Sequence, residues 1–333
     1  MLEKRGGLLG EAAAAPAIVS HTGSTRAGDP LSLSRPPGPD LLPWISLISG
    51  SVVTMPADVT LSCRLFSDNA AVRVLISGRW RAQCRDGWTE FNPDDSRQAL
   101  FFGPQSRAMP IEATGTFRVM TVQLRPGASR VLGGPDMRET LDRIIDFDEM
   151  VGHGRLGSRF DPARNAGEWI TAYEAEMRKM ITRHAVAEPD PVTRAFEIAC
   201  FARPNIAVGE FAEAHGVGVR TLERIVMRDF GMTPKQVLRR ARALDMASLL
   251  LGVAAPDEAE ALHLRYFDQS HQIREITHFF GISPSQLAAG THPLLRLNLE
   301  ARQNRRLLLL EEGSAAPPTG LRPWRDPDAE PGA

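Results

Sequence analysis

The chain has 333 residues, with 39 Lys and Arg against 40 Asp and Glu and a net charge of -1. That length accommodates about two domains, and the even balance excludes a protein that is basic throughout while leaving room for a local basic patch. An apolar fraction of 43% excludes collagen-like and wholly disordered classes. Three widely spaced cysteines, Cys63, Cys84 and Cys200, make neither a zinc pair nor a disulfide framework.

In chain order, residues 1–40 are rich in Gly, Pro, Ser and Ala and end in Ser34-Arg-Pro-Pro-Gly-Pro-Asp40. That composition predicts a disordered N-terminal segment. It holds no continuous apolar run of the signal-peptide kind, and no stretch of the chain approaches the ~18 apolar residues of a membrane span. A cytoplasmic protein with no membrane partner is expected. From Leu41 to Leu124, the runs Ile45–Thr54, Val59–Phe66, Val72–Ser77, Ala99–Phe102 and Phe117–Leu124 are separated by Pro, Gly, Asp and Asn. They predict the strands of a small barrel or sandwich. After Arg125 the texture changes, and Asp136–Phe147 and Trp169–His184 read as helices. Trp169, Tyr173, Met177 and Ile181 fall four apart on one helical face, suited either to packing on the strands or to a dimer surface. Glu188-Pro-Asp-Pro191 is a linker, and everything beyond it to about Leu310 is helical in pattern. From Gly313 the composition of the N-terminal segment returns.

The helical part repeats itself at a spacing of 50 residues: Phe230-Gly-Met-Thr-Pro-Lys-Gln236 returns as Phe280-Gly-Ile-Ser-Pro-Ser-Gln286. In each copy Gly stops a helix, Thr or Ser caps the next one, and Pro takes its first position. The preceding helices match at the same offset. Leu222, Val226 and Phe230 form one face, with Gln272, Ile276 and Phe280 as counterparts. Arg220, Arg224 and Arg228 form a second column, matched by Ser270, Arg274 and His278. Upstream of the first helix lies Val208–His215 and a Gly-bearing turn, Gly216-Val-Gly218, which makes a helix-turn-helix. The second unit is Asp257–Leu264, then Arg265-Tyr-Phe267, with Asp268 as N-cap. Thr233–Leu251 joins the two; its 19 residues span about 28 Å as a helix, near the ~34 Å between successive major grooves. From Gly216 to Arg242, seven Lys and Arg face only Glu223 and Asp229, a local charge of +5. Phosphate neutralisation by such a cluster gives most of non-specific DNA affinity.

Leu222-Glu-Arg224, Phe230-Gly-Met-Thr-Pro-Lys-Gln-Val-Leu-Arg-Arg240 and Tyr266-Phe-Asp-Gln-Ser-His271, with Phe279-Phe-Gly-Ile-Ser-Pro-Ser-Gln286, resemble the AraC/XylS transcriptional regulators over about residues 205–290. Arg118–Gly134, with Leu124-Arg-Pro-Gly-Ala-Ser129, resembles less closely the sensor-like N-terminal domain of one branch of that family. The resemblance implies two helix-turn-helix motifs on a linker helix, with both recognition helices in successive major grooves. Carried over, the base-facing residues are Arg220, Glu223 and Arg224 in the first unit and Gln269, Ser270, His271 and Arg274 in the second. Arg bonds bidentately to guanine, Gln to adenine, and Glu accepts from cytosine N4. Arg228, Lys235, Arg239 and Arg240 are assigned to phosphate, which positions without specifying. Arg265 stands where the family usually has Gly, and Gln272 where it usually has a core Phe or Leu, with Ile273 beside it. Those departures leave open which face of the second recognition helix turns outward.

Gly152-His-Gly-Arg-Leu-Gly157 fits a dinucleotide fingerprint in letters only. It follows the acidic stretch Ile144–Met150 and has no βαβ setting, so it reads as a loop. No histidine occurs between His21 and His153, which excludes a three-histidine metal site on the strands; no metal or cofactor is expected. Cys63 and Cys84 suit either a thiol sensor or small buried hydrophobes. The fold expected is α+β: a disordered segment over 1–40, a β-rich barrel-like sensor or association domain over 41–187, an all-α DNA-binding domain with two helix-turn-helix motifs over 188–310, and a disordered tail over 311–333. The function expected is a sequence-specific transcriptional regulator, not an enzyme. Its partners are operator DNA, a small-molecule effector, a second copy through 41–187, and RNA polymerase. Two alternatives stand beside it: a barrel-type enzyme fused to a DNA-binding module, and a DNA-binding protein whose N-terminal domain only dimerises.

Overall fold

A computed structural model describes residues 18–19, 32–92, 94, 96–152, 155–184, 187–254, 269–290 and 292–312, without the side chains of 18–19, 269–272, 307–308 and 310–312. The first part is one antiparallel sheet of nine strands: β1 (Ile18–Val19), β2 (Ser32–Arg35), β3 (Ile45–Val53), β4 (Thr60–Leu65), β5 (Ala71–Cys84), β6 (Gly87–Phe91), β7 (Gln98–Phe102), β8 (Met109–Leu124) and β9 (Ile144–Asp146). The order is β1-β2-β3-β8-β5-β7-β9, with β4 on β8 and β6 on β5. The sheet is open, ending on β1 and β9, so the expected barrel is a curved sheet.

The curvature comes from the two long central strands. β8 pairs β3 through Phe117–Leu124 and β4 through Met109–Thr114, while β5 runs along its other side. The register of β5 against β8 shifts on either side of Ser77. Gly78 sits in the left-handed region there (φ +93°), where a Cβ would lie 2.5 Å from that of Phe117. A bulge of this kind bends a strand and sharpens its twist.

Both faces of the sheet are covered. Ile48, Val72, Val74, Phe101, Met120 and Val122 pack against α3 (Ala166–His184), whose Trp169, Tyr173, Met177 and Ile181 are buried on them. The four-residue stripe therefore packs on the strands and is not a dimer surface. The two short helices before it are α1 (Ala128–Val131) and α2 (Phe147–Val151). The other face carries Leu65, Leu75, Trp80, Phe102, Phe117 and Val119, and it shares one core with the C-terminal helices.

Those helices are α4 (Pro191–Ala202), α5 (Val208–Ala214), α6 (Val219–Phe230), α7 (Pro234–Leu250), α8 (Gln269–Phe280), α9 (Pro284–Ala289) and α10 (Pro293–Glu312). α4 to α7 build a separate core from Phe196, Phe211, Leu222, Val226, Phe230, Val237 and Leu238. The described residues of the second unit, Ile276, Phe279, Phe280 and Leu287, join the sheet's inner face together with Leu294, Leu295 and Leu299. The linker at 188–191 thus divides the sequence by texture, while one core runs across it.

Two expectations need correction. Residues 32–35 form a strand instead of a disordered segment, because Arg35 Nη2 pairs with Glu174 Oε2 at 2.7 Å and the Gly38 N–H donates to Glu174 Oε1 at 2.5 Å. Asp136–Phe147 is not a helix. Asp142 adopts a positive φ of 57° and accepts from the Ser106 N–H and hydroxyl at 2.7 and 2.5 Å, which turns the chain so that β9 can pair with β7.

Candidate nucleic-acid interface

The repeat is reproduced in three dimensions. Gly231 closes α6 at φ 71° and Gly281 follows α8 at φ 68°. Thr233 and Ser283 each complete a capping box with the Gln three residues on, Gln236 and Gln286, and Pro takes the first helical position in both. A capping box satisfies two otherwise unpaired N–H groups reciprocally, so each helix begins at a sharply defined residue.

Burial follows the same 50-residue offset. On α6, Glu223 and Arg224 are exposed, Ile225 and Val226 buried, Asp229 and Phe230 buried; on α8, Ile273 and Arg274 are exposed, Glu275 and Ile276 buried, Phe279 and Phe280 buried. The outward face of α8 is thereby settled in register with α6, despite the departure at Gln272. Arg220 is exposed on the first turn of α6, beside Glu223 and Arg224. Gln269, Ser270 and His271 lie in the first turn of α8, but their side chains are outside the described residues. So are the expected first helix of the second unit, Asp257–Leu264, and Arg265.

The sequence places Ile273 beside Gln272 and leaves its face open. Ile273 is 46% exposed and takes the position of Glu223. Among the described residues four large apolar side chains are exposed, Val59, Trp88, Val219 and Ile273, and two of these stand on α6 and α8. The offset of 50 carried the signal, since it maps Ile273 onto an outward position.

The residues assigned to phosphate differ among themselves. Lys235 is exposed at the start of α7. Arg228 is partly exposed and pairs with Asp229 at 2.6 Å and Asp190 at 3.3 Å. Arg239 pairs with the buried Glu275 at 2.7 Å. Arg240 leaves the set: it is buried, and donates to the carbonyls of Gln105 and Asp68 at 3.0 and 2.5 Å. Burial pulls its pKa down to about 10. Its charge serves the joint between helices and sheet, where no phosphate reaches.

α7 links the two units physically. Its 17 residues make a rod of about 25 Å, and the Arg239–Glu275 pair ties α8 to its flank. Sheet-region contacts hold α8 from the other side: Phe279 stacks on Phe66 and Phe280 meets it edge-on, with ring centres 5.9 and 5.2 Å apart, and the Ala108 N–H donates to the Phe279 carbonyl at 2.7 Å. No group of His, Cys, Asp and Glu among the described residues is arranged to hold a metal. Burial pushes the Cys63 and Cys84 thiols up, away from the thiolate that a reactive sensor requires. Among the described residues no helix is long and apolar enough to cross a membrane.

A family model described as a helix-turn-helix domain matches residues 211–290. Among curated proteins, an arginine–tRNA ligase of Anaeromyxobacter sp. (strain Fw109-5) is 32% identical over 145 residues, 38% of this chain and 24% of that protein; the chain thus spans about a quarter of the length of that relative. Among solved structures, unsaturated-fatty-acid-bound ToxT from Vibrio cholerae strain SCE256 is 10% identical over 74% of this chain and 97% of its own, with a TM-score of 0.42. The C-terminal domain of AraT, a response regulator from Geobacillus stearothermophilus, is 21% identical over 31% and 88%, with a TM-score of 0.28. The AraC-like transcriptional activator CuxR is 14% identical over 64% and 86%, with a TM-score of 0.27. On the match over residues 211–290, with α6 and α8 matched in register and each followed by a capped helix, this part of the chain is a helix-turn-helix domain.

Proposed function

We propose that the protein is a sequence-specific, DNA-binding transcriptional regulator that reads two base clusters about one helical turn apart with α6 and α8, under the control of a small molecule bound by the sheet region. The observation that carries it is the matched exposure of Glu223–Arg224 on α6 and Ile273–Arg274 on α8, each helix being followed by one with the same capping box. Arg220, Glu223 and Arg224 are the base readers of the first unit, and Gln269, Ser270, His271 and Arg274 those of the second. Lys235 is the phosphate contact with the freest approach. The α3 stripe, buried on its own sheet, gives no support to dimerisation through that face.

Footprinting of the full chain on spacer variants tests this reading. A five-base-pair insertion between the clusters turns one to the opposite side of the duplex and should abolish tight binding, because α7 cannot twist to follow. A ten-base-pair insertion restores the side but doubles the separation, and should not rescue it. Tight binding that survives five inserted pairs would mean that a single unit engages the bases.

A further inference from the structure

The loop between β7 and β8, residues 103–108, meets the helical part at three places. The Ala108 N–H donates to the Phe279 carbonyl at 2.7 Å, in the last turn of α8. The Gln105 carbonyl accepts from Arg240 Nη1 at 3.0 Å, near the middle of α7. Pro104 meets the end of α6: a Cβ on Gly231, which closes that helix, would lie 3.2 Å from Pro104 Cγ and 2.6 Å from the Met137 carbonyl oxygen. The last four carbonyls of a helix have no partner within it, so Ala108 caps α8 from outside.

The loop is itself held by two other segments. Asp142 accepts from the Ser106 N–H and hydroxyl at 2.7 and 2.5 Å, and its own N–H donates to the Pro104 carbonyl at 2.9 Å. At the end of β4, the buried side chain of Gln105 accepts from the Ser67 N–H at 2.6 Å and donates to the Leu65 carbonyl at 3.2 Å. Asp142 thus acts on the helices through this loop, and its charge also favours the charged form of Arg240.

α7 sets how far apart the two units stand. It does not by itself set the tilt of α6 and α8, whose first turns carry the base readers. Each has 12 residues, about 18 Å of helix. A tilt of ~10° about the held end moves the first turn by about 3 Å, close to the ~3.4 Å between successive bases of a strand. A loop that holds the far ends of both helices therefore decides whether the two clusters are read in phase.

We propose that residues 103–108 are a second brace between the two recognition helices, and that Asp142, by holding this loop, is a positioning residue for the spacing at which the two base clusters are accepted. This rests on the reading of α6 and α8 as base readers and adds what sets their phase.

The test uses the full chain in gel-shift titrations. The probes are duplexes selected from random DNA by the wild type, remade with one base pair removed or added between the clusters, or with one cluster scrambled. The wild type should lose about tenfold or more at either altered spacing, the cost of one lost base contact. Asp142→Ala should narrow that penalty severalfold while binding the single-cluster duplex as the wild type does. Ser106→Ala, which removes the hydroxyl bond and keeps the N–H bond to Asp142, should narrow it less; where circular dichroism shows Asp142→Ala unfolded, Ser106→Ala decides. The brace is overturned if the wild type accepts all three spacings alike, or if the folded variants keep its full penalty. It is also overturned if they lose the native and single-cluster duplexes in equal measure, which would make Asp142 a structural residue only. Selection that yields no two-cluster DNA counts against the reading of α6 and α8, and the brace falls with it; a two-cluster duplex whose spacing penalty survives the substitutions counts against the brace alone.

Discussion

Replacing Asp68 by Asn probes the joint between the sheet and the DNA-binding helices. Asp68 follows β4, is 13% exposed, and meets Arg305 Nη2 at 2.5 Å and Arg302 Nε at 3.1 Å, both from α10. Its backbone carbonyl receives Arg240 from α7. Burial pushes the carboxyl up, but Arg305, Arg302 and Arg240 outweigh it and hold the pKa at about 2, against an ordinary 3.8. At about 1.4 kcal/mol per unit, that difference corresponds to ~2.5 kcal/mol favouring the ionised, folded form. Asn keeps the shape and loses the charge. Arg302 retains Asp245 at 2.5 Å, but Arg305 loses its ion pair and keeps a neutral Gln123 oxygen at 3.0 Å, with the buried Glu197 as a remaining charge that it acts on. Stranding one buried charge costs about 3–5 kcal/mol, so Asp68→Asn should lose about 2–5 kcal/mol at pH 7 in urea unfolding. The folded pKa is depressed, so this stability is fully present above pH 3.8 and is lost as pH falls towards 2. The gap between wild type and variant should therefore close over that window and stay constant above it. A loss under about 1 kcal/mol, or a gap that persists unchanged to the bottom of the window, would refute the joint as drawn.

Arg224→Ala should cost roughly 1–3 kcal/mol on the cognate site and relax specificity at one or two base pairs, whereas Lys235→Ala should weaken all sequences alike and lower the salt slope by about 1; gel shifts on operator and random DNA separate the two. Ile273→Ala should lose about 0.8 kcal/mol, one methyl-sized contact, where a thymine faces α8, and substituting uracil for that thymine should penalise the wild type but not the variant. Gly281→Ala should destabilise by about 1–2 kcal/mol through its left-handed φ alone, since a Cβ there meets nothing within 4 Å. Gly231→Ala should cost at least ~1 kcal/mol more, because its Cβ would lie 2.6 Å from the Met137 carbonyl oxygen; paired chemical denaturation shows the difference.

Periodicity and punctuation made the strands Ile45–Val53, Thr60–Leu65 and Gln98–Phe102 legible, and the caps at Thr233 and Ser283 almost completely so, because those features are local. β6 escaped notice because Gly87–Phe91 buries only its last residue, so no apolar alternation announces it. β2 escaped because its partner, Glu174, lies 139 residues away from Arg35. Arg240 misled for a related reason. Charge is visible in a sequence and cover is not, and the Gln105 and Asp68 carbonyls that enclose its guanidinium come from loops between strands, far away in sequence. The departure at Gln272 was settled only by what α8 buries, which again depends on Phe66 from a distant loop.

Among the described residues the two units are held differently. The first has its own core between α4 and α7, on which Leu141 packs, and meets the sheet region through contacts such as Arg125–Glu197 at 3.2 Å. The second is completed by the sheet, through Phe66, Ala108 and the leucines of α10. Apolar packing of that kind is bistable and not continuously deformable, so a rearrangement of the inner face reaches α8 before it reaches α6. α7 then converts any shift of α8 into a change of spacing or angle between the two recognition helices, with the Arg239–Glu275 pair as the point of attachment. Two base clusters on one face of a duplex tolerate little such change, since their separation is set by the DNA. A ligand acting on the sheet thus needs no path through the first unit to alter DNA binding; it needs only to choose between arrangements of the second.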